Sequence, residues 1–189
     1  VTLRVTLISP AMSMAVREAR FDGEVAPDDA ALAAAARAAA RVPPAARALT
    51  APGRGCRRTA LALGLTADVA PELAPWGMGR WSGRTLADVG AAAPDAVAAW
   101  LADAAAAPHG GESLNALLDR CGRWLERLDG EGRLVVVADP AAVRAVVVRA
   151  LQLPAQAFWR LDVEPLTATE LSGRSGRWNV RLGQRLQGS

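Results

Sequence analysis

Gly110-Gly111-Glu112-Ser113, running on through Arg120 to Trp124, opens a predicted helix over Glu112 to Leu128, with Ser113 as its polar start. Downstream, Leu134 to Ala138 is a short apolar run that ends at Asp139-Pro140 and leads into a predicted helix over Ala141 to Leu151. Upstream, Leu3 to Ile8 and Ala46 to Leu49 repeat the pattern of an apolar run followed by Gly/Pro turns, as buried parallel strands do. Helices are expected over Asp28 to Arg41, where Asp28-Asp29 supply a polar start, over Cys56 to Leu63 and over Pro94 to Ala105. Strands alternating with helices, joined by short loops at Val42 to Ala45 and Ala106 to Gly111, predict a three-layer α/β/α domain with a mainly parallel central sheet.

Composition bounds the function. The chain has 189 residues, enough for one α/β domain with a sizeable core, and no apolar run approaches the ~20 residues that span a bilayer. One domain over residues 1–185 is expected, with 186–189 as a tail in which Gly188-Ser189 reads as appended. All 22 basic residues are arginine, scattered along the chain among acidic neighbours, whereas nucleic-acid binding wants a clustered basic stripe. Cys56 and Cys121 fall on predicted helices without metal-ligand or C-x-x-C spacing, so buried free thiols are expected. The carboxylates lack ligand spacing, and neither a metal nor a cofactor is expected. No signal peptide precedes the first strand, which points to the cytoplasm.

Several ordered blocks resemble the histidine phosphatase, or phosphoglycerate mutase-like, superfamily. The Gly110-to-Trp124 block is the best preserved and fixes the register of the rest. Leu3 to Ser9, then Pro10-Ala11, then Arg20-Phe21-Asp22-Gly23 about ten residues later, is similar to the family's first strand and loop. Ala51-Pro52-Gly53-Arg54-Gly55-Cys56-Arg57-Arg58-Thr59-Ala60 resembles its Ser-Pro-x-x-Arg segment, and Leu73 to Gly83 its Leu-x-Glu-x-x-x-Gly-x-Trp-x-Gly stretch. Leu134 to Ala138 with Asp139-Pro140 and Arg144 stands for the family's later strand and Thr-His-Gly turn. Phe158 to Asp162 and Trp178 to Val180 continue the likeness into the C-terminal strands, and the resemblance covers Leu3 to Leu182.

The resemblance implies a phosphohistidine mechanism, in which one histidine attacks phosphorus while a second histidine and two arginines hold the phosphate charge. In that register the nucleophile is Pro10, the second histidine is Asp139, the arginines are Ser9 and Gly55, and the general-acid glutamate is Pro75. Proline offers no nucleophile, and an aspartate beside an anionic phosphate is disfavoured by like-charge repulsion. Arg54 and Arg57 flank Gly55 and are candidates to restore anion binding.

Ligands in such sheets bind beyond the carboxyl ends of the strands. A pocket is therefore expected there, lined by Ser9, Pro10, Arg20, Arg54 or Arg57, Glu112 and Asp139, with Trp76 and Trp81 making it suited to an organic ligand. Other residues carry structural readings: His109 as a solvated loop histidine, Trp100, Trp124, Trp159 and Trp178 as packing, Arg120 and Arg144 as partners of carboxylates, and Asp139 as the cap of its helix as well as a pocket group.

Two functions follow. One is a pseudophosphatase that binds a small anionic or organic metabolite or a protein partner. The other is a repurposed isomerase, cyclase or lyase in which Asp139 or Glu112 acts as acid/base, its pKa raised by desolvation. A homodimer is in keeping with the family; nucleic acid and membrane are not expected partners.

Overall fold

In a computed structural model of the chain, residues 2–21, 24–174 and 176–186 are described. Asp22-Gly23 of the expected first loop, and Gly188-Ser189, lie outside them. The strands are β1 (Leu3–Ile8), β2 (Arg47–Thr50), β3 (Asp68–Val69), β4 (Gly132–Val137), β5 (Thr167–Arg174) and β6 (Arg177–Arg185). The helices are α1 (Met14–Arg17), α2 (Asp29–Ala38), α3 (Arg54–Ala62), α4 (Leu86–Ala92), α5 (Pro94–Ala102), α6 (Leu114–Glu126) and α7 (Pro140–Ala150). The strands form one sheet in the order β3-β2-β4-β1-β5-β6. The pairs β2·β3, β2·β4 and β1·β4 are parallel; β5 is antiparallel to both β1 and β6.

Burial explains why β1 and β4 are central. Val5, Thr6, Leu7 and Ile8, like Leu134 to Val137, are all buried although successive side chains point to opposite faces, so both faces of the sheet are covered. Helix α2 packs beside α3 and α6 beside α7, giving the three-layer α/β/α fold expected from the sequence. Asp28 caps α2 by accepting from the Ala31 N–H at 2.8 Å, and Ser113 caps α6 by accepting from the Ala116 N–H at 3.2 Å. Phe158 and its neighbours depart from expectation: they sit in a 3-10 helix, Ala155–Arg160, rather than in a strand. Leu186 is buried in the main core, and its N–H reaches the Leu166 carbonyl at 3.1 Å.

The hydrogen-bond ladder runs one step past the paired strand ends. The Ala138 N–H donates to the Ile8 carbonyl at 3.0 Å, and the Ala51 N–H to the Val137 carbonyl at 2.8 Å. The turns after β1, β2 and β4 are thereby held side by side, and they carry Pro10, Gly53 and Asp139.

Candidate functional site

Of these turns, the one after β1 is rigid. Ser9 is fully buried; its hydroxyl donates to the Glu164 carbonyl, accepts from the Thr167 N–H at 3.1 Å and lies 3.3 Å from the Thr167 hydroxyl. It ties the end of β1 to the start of β5 and is not the pocket lining expected of it, because every one of its polar sites faces backbone or Thr167. Pro10 is also buried, and the Ala11 N–H donates to the Thr59 hydroxyl of α3 at 3.0 Å. The buried face of α3 thus turns toward β1 and carries Gly55, Cys56, Thr59 and Ala60.

Asp139 stands at the N-terminal boundary of α7 but makes no capping hydrogen bond, so its expected role as a cap is not the one the structure gives it. The carboxyl instead lies beside the Cys56 thiol, which acts on its ionisation. Its buried Oδ2 has no hydrogen-bond partner. Burial, opposed by the Cys56 hydrogen bond and reinforced by the Glu24 charge, raises its pKa to about 6. Burial, then the Asp139 charge and hydrogen bond, then Glu24, pushes the Cys56 thiol well above its ordinary value, so it is a neutral donor rather than a thiolate nucleophile. From the sequence, Cys56 reads only as a buried thiol and Glu24 is not marked at all. Nothing local marks either, since their partner is more than 80 residues away in the chain.

Arg54 and Arg57 do not converge on Asp139. With Arg58 and Leu61 they occupy the exposed face of α3, opposite Cys56 and Thr59, and line a groove beside β3. The register explains this: one residue moves a side chain about 100° around a helix, which takes an arginine from the Gly55 position to the outer face. At Gly55 itself the nearest atom to an added Cβ is the Val25 carbonyl oxygen at 3.7 Å, so the site has room but no side chain there. Arg20 is likewise engaged elsewhere, bridging to Glu18 at 2.7 Å and donating to the Gly83 carbonyl at 2.6 Å.

Glu112 is held in a clasp. Arg120 donates to both its carboxylate oxygens, at 2.9 and 2.8 Å, and also to the Glu72 and Ala74 carbonyls at 2.6 and 2.9 Å. The pair is largely buried, and although burial opposes the Arg120 charge, the hydrogen bonds and charge of Glu112 leave its pKa raised. The Arg120 pairing expected from the sequence is present, and it takes Glu112 out of the role of a free acid or base. Arg144, for which a carboxylate partner was also expected, lies 5.7 Å above the Phe158 ring with Asp162 acting on its charge.

Trp76 and Trp81 do not form a pocket mouth either. They enter a second core with Phe21, Trp100 and Trp159, in which Trp81 stacks edge-on to Trp100 at 5.4 Å and Trp100 to Trp159 at 4.7 Å. The Trp76 indole N–H donates to the Glu112 carbonyl at 2.8 Å. His109 belongs to this core as well. It is fully buried, 5.1 Å from the Trp81 ring, and its Nδ1 accepts from the Gly111 N–H at 2.9 Å. The solvated loop histidine expected from the sequence is therefore a core group, its pKa lowered by burial and by Arg80.

What the structure brings together at the strand ends is Pro10, Cys56, Gly55 and Asp139, with the Glu24 charge acting on the last. Burial dominates the Asp139 ionisation, with Cys56 and Glu24 acting on it in opposite directions. This arrangement can take up or release one proton near neutrality and favours a hydrogen-bond donor or a cation over an anion.

The sequence matches the model of the histidine phosphatase superfamily (branch 1) over residues 28–184. No curated protein matches the chain. Among solved structures, a mycobacterial glucosyl-3-phosphoglycerate phosphatase superposes with a TM-score of 0.84 at 24% identity, covering 98% of this chain and 100% of that one. A VO3 complex of that mycobacterial phosphatase gives 0.83 at 27% identity, covering 96% and 98%. A putative alpha-ribazole-5'-P phosphatase from Escherichia coli gives 0.86 at 19% identity, covering 99% and 98%. With the family match spanning most of the chain and the α/β/α sheet order now described, the chain belongs to the histidine phosphatase superfamily, branch 1.

Proposed function

We propose that this chain is a pseudophosphatase: a histidine-phosphatase scaffold that binds a small organic metabolite or a protein partner and carries out no phosphohistidine chemistry. The observation that carries this reading is the content of the strand-end site. Where the resemblance puts the nucleophilic histidine there is Pro10, and where it puts the second histidine there is a buried carboxyl under the influence of another carboxylate. A phosphohistidine mechanism needs a histidine that reaches substrate, and the chain has one histidine, His109, fully buried against Trp81. The phosphatase names of the structural neighbours are carried over only as far as the scaffold. Losing one preorganised donor costs about 10² to 10³ in rate, and this site lacks several.

Thermal melting with inorganic phosphate and a panel of neutral and cationic metabolites tests the reading. Any ligand that binds the native state alone raises Tm in a saturable way. The expected result is no response to phosphate. A saturable rise with phosphate whose affinity changes in Asp139→Asn, and which therefore reports on the strand-end site, would overturn the reading.

The raised pKa of Asp139 supports a second reading, a repurposed enzyme in which Asp139 moves a proton for non-phosphoryl chemistry. Glu112, the other candidate acid/base, is the weaker one because Arg120 holds it. For any substrate found, abolition of turnover in Asp139→Asn with an unchanged fold favours this enzyme; altered affinity alone favours the binding protein.

A further inference from the structure

The arginines that bracket the former phosphate position serve another surface. Arg54, Arg57, Arg58 and Leu61 recur at i, i+3, i+4 and i+7 and so form one stripe along α3. All four are exposed, Leu61 by 73%, and Val69 of the facing strand β3 by 48%. Together with Leu65 they line a groove of about 450 Å³ between α3 and the β3 edge of the sheet. Among the described residues none of the three arginines takes part in an ion pair. Three guanidinium groups outside any ion pair, beside two exposed aliphatic side chains, form a cationic surface with an apolar component.

We propose that this groove docks a short acidic, amphipathic segment of a partner protein. Its carboxylates pair with Arg54, Arg57 and Arg58, and its aliphatic side chains rest on Leu61 and Val69. Charge complementarity selects the acidic partner: guanidinium forks suit carboxylates in bidentate geometry. The apolar component distinguishes such a segment from a bare anion. Nucleic acid is the poorer fit, because the stripe spans two turns of helix and has no aromatic ring for a base to stack on. The inference does not depend on how the Asp139 end behaves, since the groove lies on the other face of α3.

The test uses a fluorescent peptide of alternating glutamate and leucine, read by anisotropy and by amide chemical-shift mapping on the intact chain. A glutamate–serine peptide, a single-stranded oligonucleotide and inorganic phosphate are the comparisons. The expected result is saturable binding of the glutamate–leucine peptide with shifts confined to residues 50–70. Affinity should fall about tenfold or more in Arg57→Glu/Arg58→Glu and in Leu61→Ser, and should weaken as salt shortens the screening length. Because these side chains are exposed, the variants should retain the wild-type spectrum elsewhere. The proposal is overturned if the peptide does not bind, if its shifts map elsewhere, or if the serine peptide, the oligonucleotide or phosphate binds the groove as tightly.

Discussion

Asp139 is a carboxyl whose surroundings oppose its charge, and that has a thermodynamic sign. Its folded pKa, about 6, lies above the ordinary 3.8. The folded state therefore holds its proton more tightly than the unfolded chain, and stability from this group is complete below pH 3.8 and lost as pH rises through 6. Asp139→Asn should accordingly stabilise the protein at about pH 7.5 by roughly 1–3 kcal/mol, the upper end being the full shift. Urea unfolding of both proteins measures this, and the gain should disappear at about pH 3.5, where wild-type Asp139 is protonated in both states. His109 has the opposite sign. Its folded pKa lies below 6.5, so its contribution is complete above pH 6.5 and lost as pH falls. His109→Phe keeps a ring against Trp81 but removes the acceptor for the Gly111 N–H. It should cost about 1–3 kcal/mol near neutrality and flatten the acid limb of the stability profile. The position of Asp139 was legible in the sequence because it follows an apolar run. Its contact with Cys56 was not, because two distant turns make it. The burial of His109 was not legible either: its own neighbours, Pro108 and Gly110, read as an exposed turn, and the Trp81 ring it packs against comes from elsewhere in the chain.

Two glycine-bearing loops interlock around the Glu112–Arg120 clasp. A Cβ added at Gly111 would overlap the Gly77 carbonyl oxygen, and the Glu112 N–H already donates to that carbonyl at 2.7 Å. Gly111→Ala should thus displace residues 77–79 and destabilise by about 2 kcal/mol or more, seen as a lower urea midpoint. Arg120→Met leaves the Glu112 carboxylate and the Glu72 and Ala74 carbonyls without their donor. A cost of about 2–4 kcal/mol is expected, and adding Glu112→Gln should recover part of it. A double-mutant cycle by chemical denaturation gives the coupling. At this scale β1, β4, α6 and α7 were legible because each is long enough to show its period or a continuous apolar run. Helix α1, with 4 residues, and strand β3, with 2, show neither. The apolar Phe158 stretch reads as strand, yet it folds as a 3-10 helix that packs Phe158 against Trp76 and Trp159.

Across the molecule, the strand ends are fixed by the backbone ladder and by two buried hydroxyl side chains. Ser9 bonds the end of β1 to β5, Thr59 holds Ala11, and the Ile8 and Val137 carbonyls continue the ladder. None of these bonds uses the side chain of Pro10 or Asp139. This is why the fold was legible from the ordered blocks while the site was only partly so. The block register located the strand ends, but which way Arg54, Arg57, Trp76 and Trp81 face is set by α3 and by the second aromatic core, which no short motif encodes. Among the described residues no helix is long and apolar enough to cross a membrane. Incubation with p-nitrophenyl phosphate, following nitrophenol release and the intact mass of the protein together, tests the proposed absence of phosphohistidine chemistry. No release above an unfolded control and an unchanged mass are predicted; turnover, or a phosphoryl adduct that maps to any residue at the strand ends, would contradict the claim.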